Sequence, residues 1–224
     1  LLFDKDSTLF DFAATWEAWA HSFLVRLCDG DVARATAAGQ LIDFDLNTRK
    51  FAPTSLVIAG TAGEVAAALH PMFGEVALPD LLRVLNEEAE KAPQQPAVPL
   101  VPLLTGLRER GLRLGVATND AEAPAMAHLG QAGVVEMFDF IVGYDSGFGG
   151  KPAPGQLIGF AEHTQLAPDQ IAMVGDSTHD LEAGRAAGMT CIAVLTGLAS
   201  DTDLAPFADV VLPDIGHLPA WLDG

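Results

Sequence analysis

Leu1-Leu2-Phe3-Asp4-Lys5-Asp6-Ser7-Thr8-Leu9 is the stretch whose reading decides the fold. A short apolar run of strand-compatible residues stops at two carboxylates spaced i, i+2, followed by Ser-Thr. Apolar runs bounded by polar turn residues read as buried strands. In an open α/β sheet, ligands bind just beyond the carboxyl ends of the strands, and Asp4 and Asp6 fall at such an end. An Asp pair alone says little, because Asp also caps helices and starts turns. Three later stretches supply what the pair needs for phosphate chemistry: Ala117-Thr118-Asn119-Asp120, Gly150-Lys151-Pro152, and Gly175-Asp176-Ser177-Thr178-His179-Asp180. Each borders an expected strand, in an order that suits one active site.

Outward from that strand, residues 10–13 are expected to form a connector. Residues 14–28 read as an amphipathic helix with Trp16, Trp19, Phe23 and Leu27 at helical spacing. Further helices are expected over 31–42, 56–59, 62–69 and 78–91, with Asp43 to Ser55 as a polar loop and Thr61 and Glu64 spaced as a capping box. Ala92-Pro93-Gln94-Gln95-Pro96-Ala97-Val98-Pro99 reads as a hinge or linker. Beyond it the pattern alternates, with helices over 100–110, 121–131, 154–165, 179–187 and 215–222. Strands are expected over 112–117, 139–142, 170–175, 190–195 and 209–212. Such alternation implies a parallel sheet covered on both faces. The expected fold is therefore α/β, a doubly wound Rossmann-like sheet built from residues 1–12 and 97–224. An all-helical insert, residues 13–96, interrupts it after the first strand.

The 224 residues carry 30 Asp and Glu against 12 Lys and Arg, a formal net charge of −18. That balance suits neither a nucleic-acid backbone nor an anionic membrane, since both need a basic surface. No apolar segment reaches the roughly 18 residues that suggest a membrane span. Half of the residues are hydrophobic and 19% charged, as in an ordinary soluble globular protein. The chain opens without Met inside an expected strand, which reads as a trimmed start and leaves targeting open. Cys28 and Cys191 are expected as free, buried thiols, in keeping with a cytoplasmic setting. The acidity is awkward for an enzyme of anionic substrates. A divalent metal and a few well-placed cations have to reverse the potential locally.

The four motifs resemble those of the haloacid dehalogenase-like superfamily, and within it the phosphatases of the phosphoglycolate phosphatase type. The first motif, Asp-x-Asp-Gly-Thr, is matched by Asp4 to Thr8 with Ser7 in place of Gly, and the resemblance covers nearly the whole chain. It implies a helical cap inserted after the first strand, Mg²⁺ as cofactor, and the backbone carbonyl of Asp6 on the metal. It also implies a phosphatase or mutase, since the superfamily's dehalogenases and phosphonatases lack an Asp at the position of Asp6.

The residue types suit that chemistry on their own terms. Asp4 is the expected nucleophile: phosphate monoesters hydrolyse extremely slowly unaided, and attack through a covalent aspartyl-phosphate splits the barrier. Asp6 is the expected general acid and base, protonating the leaving oxygen and later activating water. Thr118 and Asn119, between a strand and a helix, offer a hydroxyl, an amide and free N–H groups to non-bridging phosphate oxygens. Lys151, on a loop bounded by Gly and Pro, is expected to neutralise phosphate charge and steady Asp4. Asp176 and Asp180, spaced i, i+4, are hard oxygen ligands suited to Mg²⁺. Asp176 is expected to bind directly and Asp180 through water or by orienting it, completing a metal site with Asp4 and Asp6. Lys5 has two readings, a contact for an anionic substrate or a local charge balance for the Asp pair. In the insert, Arg49 and Lys50 with Thr54 and Ser55 are the anion-recognising candidates, set against a slightly stronger case for a solvated loop pair.

The expected activity is hydrolysis of a small phosphorylated metabolite by a monomer or homodimer. Phosphoglycolate is a substrate that Arg49 and Lys50 would suit. A sugar-phosphate mutase of the β-phosphoglucomutase type shares all four motifs. It needs a cap that rebinds a bisphosphorylated intermediate, and the insert has one basic pair to serve it. A non-catalytic binding protein on the same scaffold is the reading from a different class, and the full set of catalytic side chains counts against it.

Overall fold

The computed structural model describes residues 1–224, which form two compact units, Leu1–Asp11 with Gln94–Gly224, and Phe12–Pro93. Strand β1 (Leu2–Phe3) opens the first unit. The second contains a π-helical turn at Ala13–Glu17, helices α1 (Ala18–Leu27) and α2 (Val32–Gln40), strands β2 (Phe44–Asp45) and β3 (Lys50–Phe51), and helices α3 (Ala62–Leu69) and α4 (Leu78–Ala89). The chain returns to the first unit with α5 (Leu100–Glu109), β4 (Gly115–Ala117), α6 (Glu122–Gln131), β5 (Phe140–Val142) and α7 (Gly155–Thr164). There follow β6 (Ala172–Gly175), α8 (Thr178–Ala187), β7 (Thr190–Val194), α9 (Asp201–Leu204), β8 (Val210–Leu212) and α10 (Leu218–Leu222).

All strand pairs of the large sheet are parallel, in the order β5-β4-β1-β6-β7-β8. The chain builds outward from β1 through β4 and β5, then crosses back and builds β6, β7 and β8 on the other side. In such a doubly wound sheet the reversal opens a crevice at the carboxyl ends of the central strands. Leu2 lies opposite Gly115 and Met173, and Phe3 opposite Val116 and Val174. Successive strand side chains point to opposite faces. Phe3, Val116, Val174 and Ile192 therefore join one core with Leu104 and Leu107 of α5. Leu2, Ala117 and Met173 join another with Leu157 and Phe160 of α7 and Ala183 of α8. Coverage on both faces is why these strands read as apolar runs rather than alternating ones. This is the expected α/β architecture.

The second unit has its own aromatic core. Trp16 and Trp19 meet edge to face at 5.2 Å, Trp19 stacks on Phe23 at 5.2 Å, and Trp19 Nε1 donates to Leu85 O at 3.2 Å. Glu64 N–H donates to Thr61 Oγ1 at 3.3 Å while Glu64 Oε2 accepts from Thr61 N–H at 2.7 Å, closing the capping box of α3. Two local expectations fail. The loop expected over Asp43 to Ser55 contains an antiparallel ribbon with Phe44 opposite Phe51 and Asp45 opposite Lys50. Its two rings pack 4.8 Å apart, so the unit is helical apart from this ribbon. Residues 56–59 form turns instead of a helix, closed by Gly60 N–H on Leu56 O at 2.8 Å. Cys28 and Cys191 are free and buried, and no helix is long and apolar enough to cross a membrane.

The β1–α7 face leaves no room at Gly115, where a Cβ would lie 2.7 Å from Phe160 Cε2 and 2.9 Å from Leu2 Cδ1. Gly115→Ala is expected to destabilise the fold by about 1–3 kcal/mol through overpacking, read as a lower denaturant midpoint. An unchanged midpoint would show that this face repacks freely.

Candidate active site

Strands β1, β4 and β6 end at one edge of the sheet, and the next residue in each case is polar: Asp4, Thr118 and Asp176. Main-chain bonding continues past the strand ends, with Asp4 N–H donating to Val174 O at 2.8 Å and Thr118 N–H to Val142 O at 3.1 Å. The sheet therefore fixes the backbone beneath these side chains. Asp180, in the first turn of α8, folds back so that its Oδ2 accepts from the N–H and hydroxyl of Ser177 at 3.1 and 2.7 Å. Lys151 arrives on the loop before α7, next to a cis Lys151–Pro152 peptide. Its Nζ donates to Asp4 Oδ1 and Asp180 Oδ1, both at 2.6 Å.

Carboxylate oxygens of Asp4, Asp176 and Asp180 lie within 4.8 Å of one another, and all three residues are buried. Three carboxylates around one ammonium leave two negative charges uncompensated. Burial raises Asp4 to about 7 despite the opposing pull of Lys151, and Asp180 and Asp6 push it the same way. Burial, followed by repulsion from Asp180 and Asp4, drives Asp176 well above the usual carboxylate range. Burial alone would lower Lys151, but Asp180 and Asp4 outweigh it and hold the ammonium above its ordinary value. Closely spaced hard oxygens short of positive charge are a donor set that fits Mg²⁺.

The structure brings Asp4, Asp176, Asp180 and Lys151 together and gives the other candidates more specific places. The Asn119 amide faces the Lys151 loop: Nδ2 donates to Lys151 O at 2.9 Å and Oδ1 accepts from Lys151 N–H at 2.8 Å. This side chain thus holds the loop that presents the ammonium. Thr118 is buried, and its hydroxyl accepts from Asp120 N–H at 3.0 Å. Lys5 is fully buried. Its Nζ donates to Asp6 Oδ1 at 2.8 Å and lies 3.0 Å from His128 Nδ1 and 3.2 Å from Asp120 Oδ2. The geometry displays a local charge balance, but with Asp6 and Asp120 in place of the expected Asp4 and Asp6 pair, since Asp4 is held by Lys151. Burial would lower Lys5, yet Asp6 and Asp120 raise it above its usual value. Burial lifts Asp120 to about 6 against the pull of Lys5.

Within the second unit, Lys50 pairs with Glu17 at 2.7 Å, the buried Ser55 hydroxyl donates to Ile42 O at 2.6 Å, and Thr54 Oγ1 donates to Asp43 Oδ2 at 3.3 Å. Arg49 is exposed. Three of these four anion-recognising candidates are therefore engaged in local structure.

Sequence reasoning missed the groups that close on the carboxylates. Thr8 Oγ1 lies 3.5 Å from Asp176 Oδ1, and Thr196 Oγ1 donates to the carbonyl of Ser7. A Cβ at Gly197 would overlap Asp176, and one at Gly175 would overlap Asp180. Gly175 sits inside a recognised motif, whereas Gly197 carries no spacing signal.

A family model described as haloacid dehalogenase-like hydrolase matches residues 1–194. Phosphoglycolate phosphatase of Rhodospirillum rubrum is 35% identical over 120 residues, which cover 54% of this chain and 50% of that one. The chain thus spans about half the length of the curated relatives it matches. Among solved structures, a predicted phosphoglycolate phosphatase from Haemophilus somnus superposes with a TM-score of 0.75 at 18% identity, over 99% of this chain and 96% of that one. L-2-haloacid dehalogenase from Xanthobacter autotrophicus does so with 0.66 at 19% identity, over 100% and 97%. At these identities the likeness is one of fold, shared by chains named for two different reactions.

Two measurements probe this geometry. Native Asp4 keeps its proton to about 7, against 3.8 for the ordinary carboxyl, so between those values the native state binds the extra proton. The resulting stability is complete below about pH 4 and is lost as pH rises through about 7. Metal-free protein is expected to melt lower at about pH 8 than at about pH 5, with a shallower slope for Asp4→Asn; identical slopes would contradict the assignment. Ser7 holds φ at 60°, a conformation that costs a residue with a Cβ roughly 1–2 kcal/mol, of which glycine's extra chain entropy takes back roughly 0.5–1. Ser7→Gly is therefore expected to stabilise by about 0.5–1 kcal/mol. A lower denaturant midpoint would mean that the serine side chain contributes more than its backbone costs.

Proposed function

The chain belongs to the haloacid dehalogenase-like hydrolase family, and on that premise we propose that it is a Mg²⁺-dependent phosphatase of small phosphorylated metabolites, phosphoglycolate among them. The observation that carries this reading is the Lys151 ammonium held 2.6 Å from both Asp4 and Asp180, in a carboxylate cluster that Asp176 completes. The name of the sequence relatives supports the substrate class. Asp6 supports a phosphatase over a dehalogenase by the family's motif pattern, and two buried free thiols support a cytoplasmic setting.

Asp4 is the nucleophile. Lys151 grips its Oδ1, orients the carboxylate and favours its ionised form against the cost of burial. One Asp4 oxygen bonds to phosphorus as the bond from phosphorus to the leaving oxygen breaks, and Asp6 delivers a proton to that oxygen. Asp6 then takes a proton from water as the water oxygen attacks the phosphorus of the aspartyl-phosphate, freeing phosphate and restoring Asp4. Thr118 and the main chain at the start of the following loop hold non-bridging oxygens, and the Asn119 amide serves the site by fixing the Lys151 loop. Asp4, Asp176 and the main chain of Asp6 would hold Mg²⁺. Asp180, whose oxygens already serve Lys151 and Ser177, orients the cluster. The ion when bound supplies a Lewis acid that offsets phosphoryl charge.

Phosphate release from a panel of phosphorylated metabolites is expected with Mg²⁺, to vanish on chelation, and to fall at least ~10³-fold in Asp4→Asn. Phosphoryl transfer between sugar phosphates without release would make the chain a mutase instead. Silence across the whole panel would leave a binding protein.

A further inference from the structure

Resting on the phosphatase reading, we propose that Lys5 is a positioning residue for Asp6, an internal clamp anchored on α6 and on the loop after β4. A lysine side chain normally runs its stem to the surface and leaves its charge in water, whereas this one is fully buried. An ammonium has three donors and no acceptor, and three acceptors from three parts of the chain surround it. Asp6 Oδ1 lies at 2.8 Å, His128 Nδ1 at 3.0 Å and Asp120 Oδ2 at 3.2 Å.

The anchors are themselves held. Asp120 Oδ1 accepts from Ala121 N–H at 2.8 Å, and Asp120 N–H donates to Thr118 Oγ1 at 3.0 Å. His128 is fully buried within α6. A mere counter-ion for Asp120 would give that carboxylate its best contact. Here Asp120 Oδ2 has the longest of the three and no aligned hydrogen bond, and the shortest goes to Asp6. Because the ammonium only donates, His128 offers Nδ1 as an acceptor and carries its proton on Nε2. The clamp fixes Asp6 through Oδ1.

The test compares leaving groups. An alkyl phosphate needs its leaving oxygen protonated, whereas p-nitrophenolate departs without that help. Lys5→Met alone would leave Asp120 buried without a counter-charge and endanger the fold. The informative variant therefore combines Lys5→Met with Asp120→Asn. With Mg²⁺ present, its kcat/KM for phosphoglycolate is expected to fall about 10–100-fold while that for p-nitrophenyl phosphate changes less than about threefold. Asp6→Asn should show the same split more strongly. Equal losses on both esters, or no loss, overturn the proposal. In metal-free wild-type protein, long-range ¹H–¹⁵N spectra should show His128 as the Nε2–H tautomer with Nδ1 hydrogen-bonded. The Nδ1–H tautomer overturns the clamp even if the double variant does not fold. Wild-type protein that releases phosphate from neither ester defeats the phosphatase reading itself, and the role of Lys5 with it.

Discussion

Three buried carboxylates share one ammonium at the carboxyl edge of a parallel sheet, and the surrounding structure serves to hold that imbalance in place. A buried charge without a partner ordinarily costs several kcal/mol, and like charges at this spacing push one another toward protonation. The site persists because strong constraints converge on it. Parallel pairing runs one residue beyond β1 to fix Asp4. The first turn of α8 folds Asp180 back on Ser177, and Asn119 grips both sides of the Lys151 backbone. Glycines at 175 and 197 leave space that a Cβ would fill. Each of these is a local expense in freedom or packing that an ordinary core would avoid.

The tip of β1 divides two charge networks between neighbouring residues. Asp4 belongs to the cluster of Lys151, Asp180 and Asp176, and Asp6 to the cluster of Lys5, Asp120 and His128. Both lysines are buried in a chain with a net charge of −18. Each carboxylate of the Asp-x-Asp pair is thereby given its own cation.

Much of the architecture was legible in the chain because it rests on boundaries. Apolar runs that stop at Asp4, Thr118 and Asp176 mark strand ends, and strand ends in this topology mark the crevice. The convergence of Lys151 followed from the same order. Directions of side chains were less legible. An Asn at a strand-to-helix junction can face a ligand or the backbone, and the reciprocal fit to Lys151 emerges only once both loops are in place. The inward turn of Lys5 depends on His128, a residue in the middle of a helix and far away in sequence. The ribbon of β2 and β3 has two residues per strand, too few for a periodic signal, and the packing of Phe44 on Phe51 defines it. Gly197 matters only because Asp176 lies against it.

The shortfall of positive charge around Asp4, Asp176 and Asp180 is expected to make them a site for a hard divalent cation. Calorimetric titration of metal-free protein with Mg²⁺ just below neutral pH, in two buffers of different ionisation enthalpy, addresses it most directly. The account predicts one ion per chain, protons released as the ion displaces them from the raised carboxyls, and weaker binding in Asp176→Asn. Binding without proton release, or binding indifferent to Asp176→Asn, would contradict it.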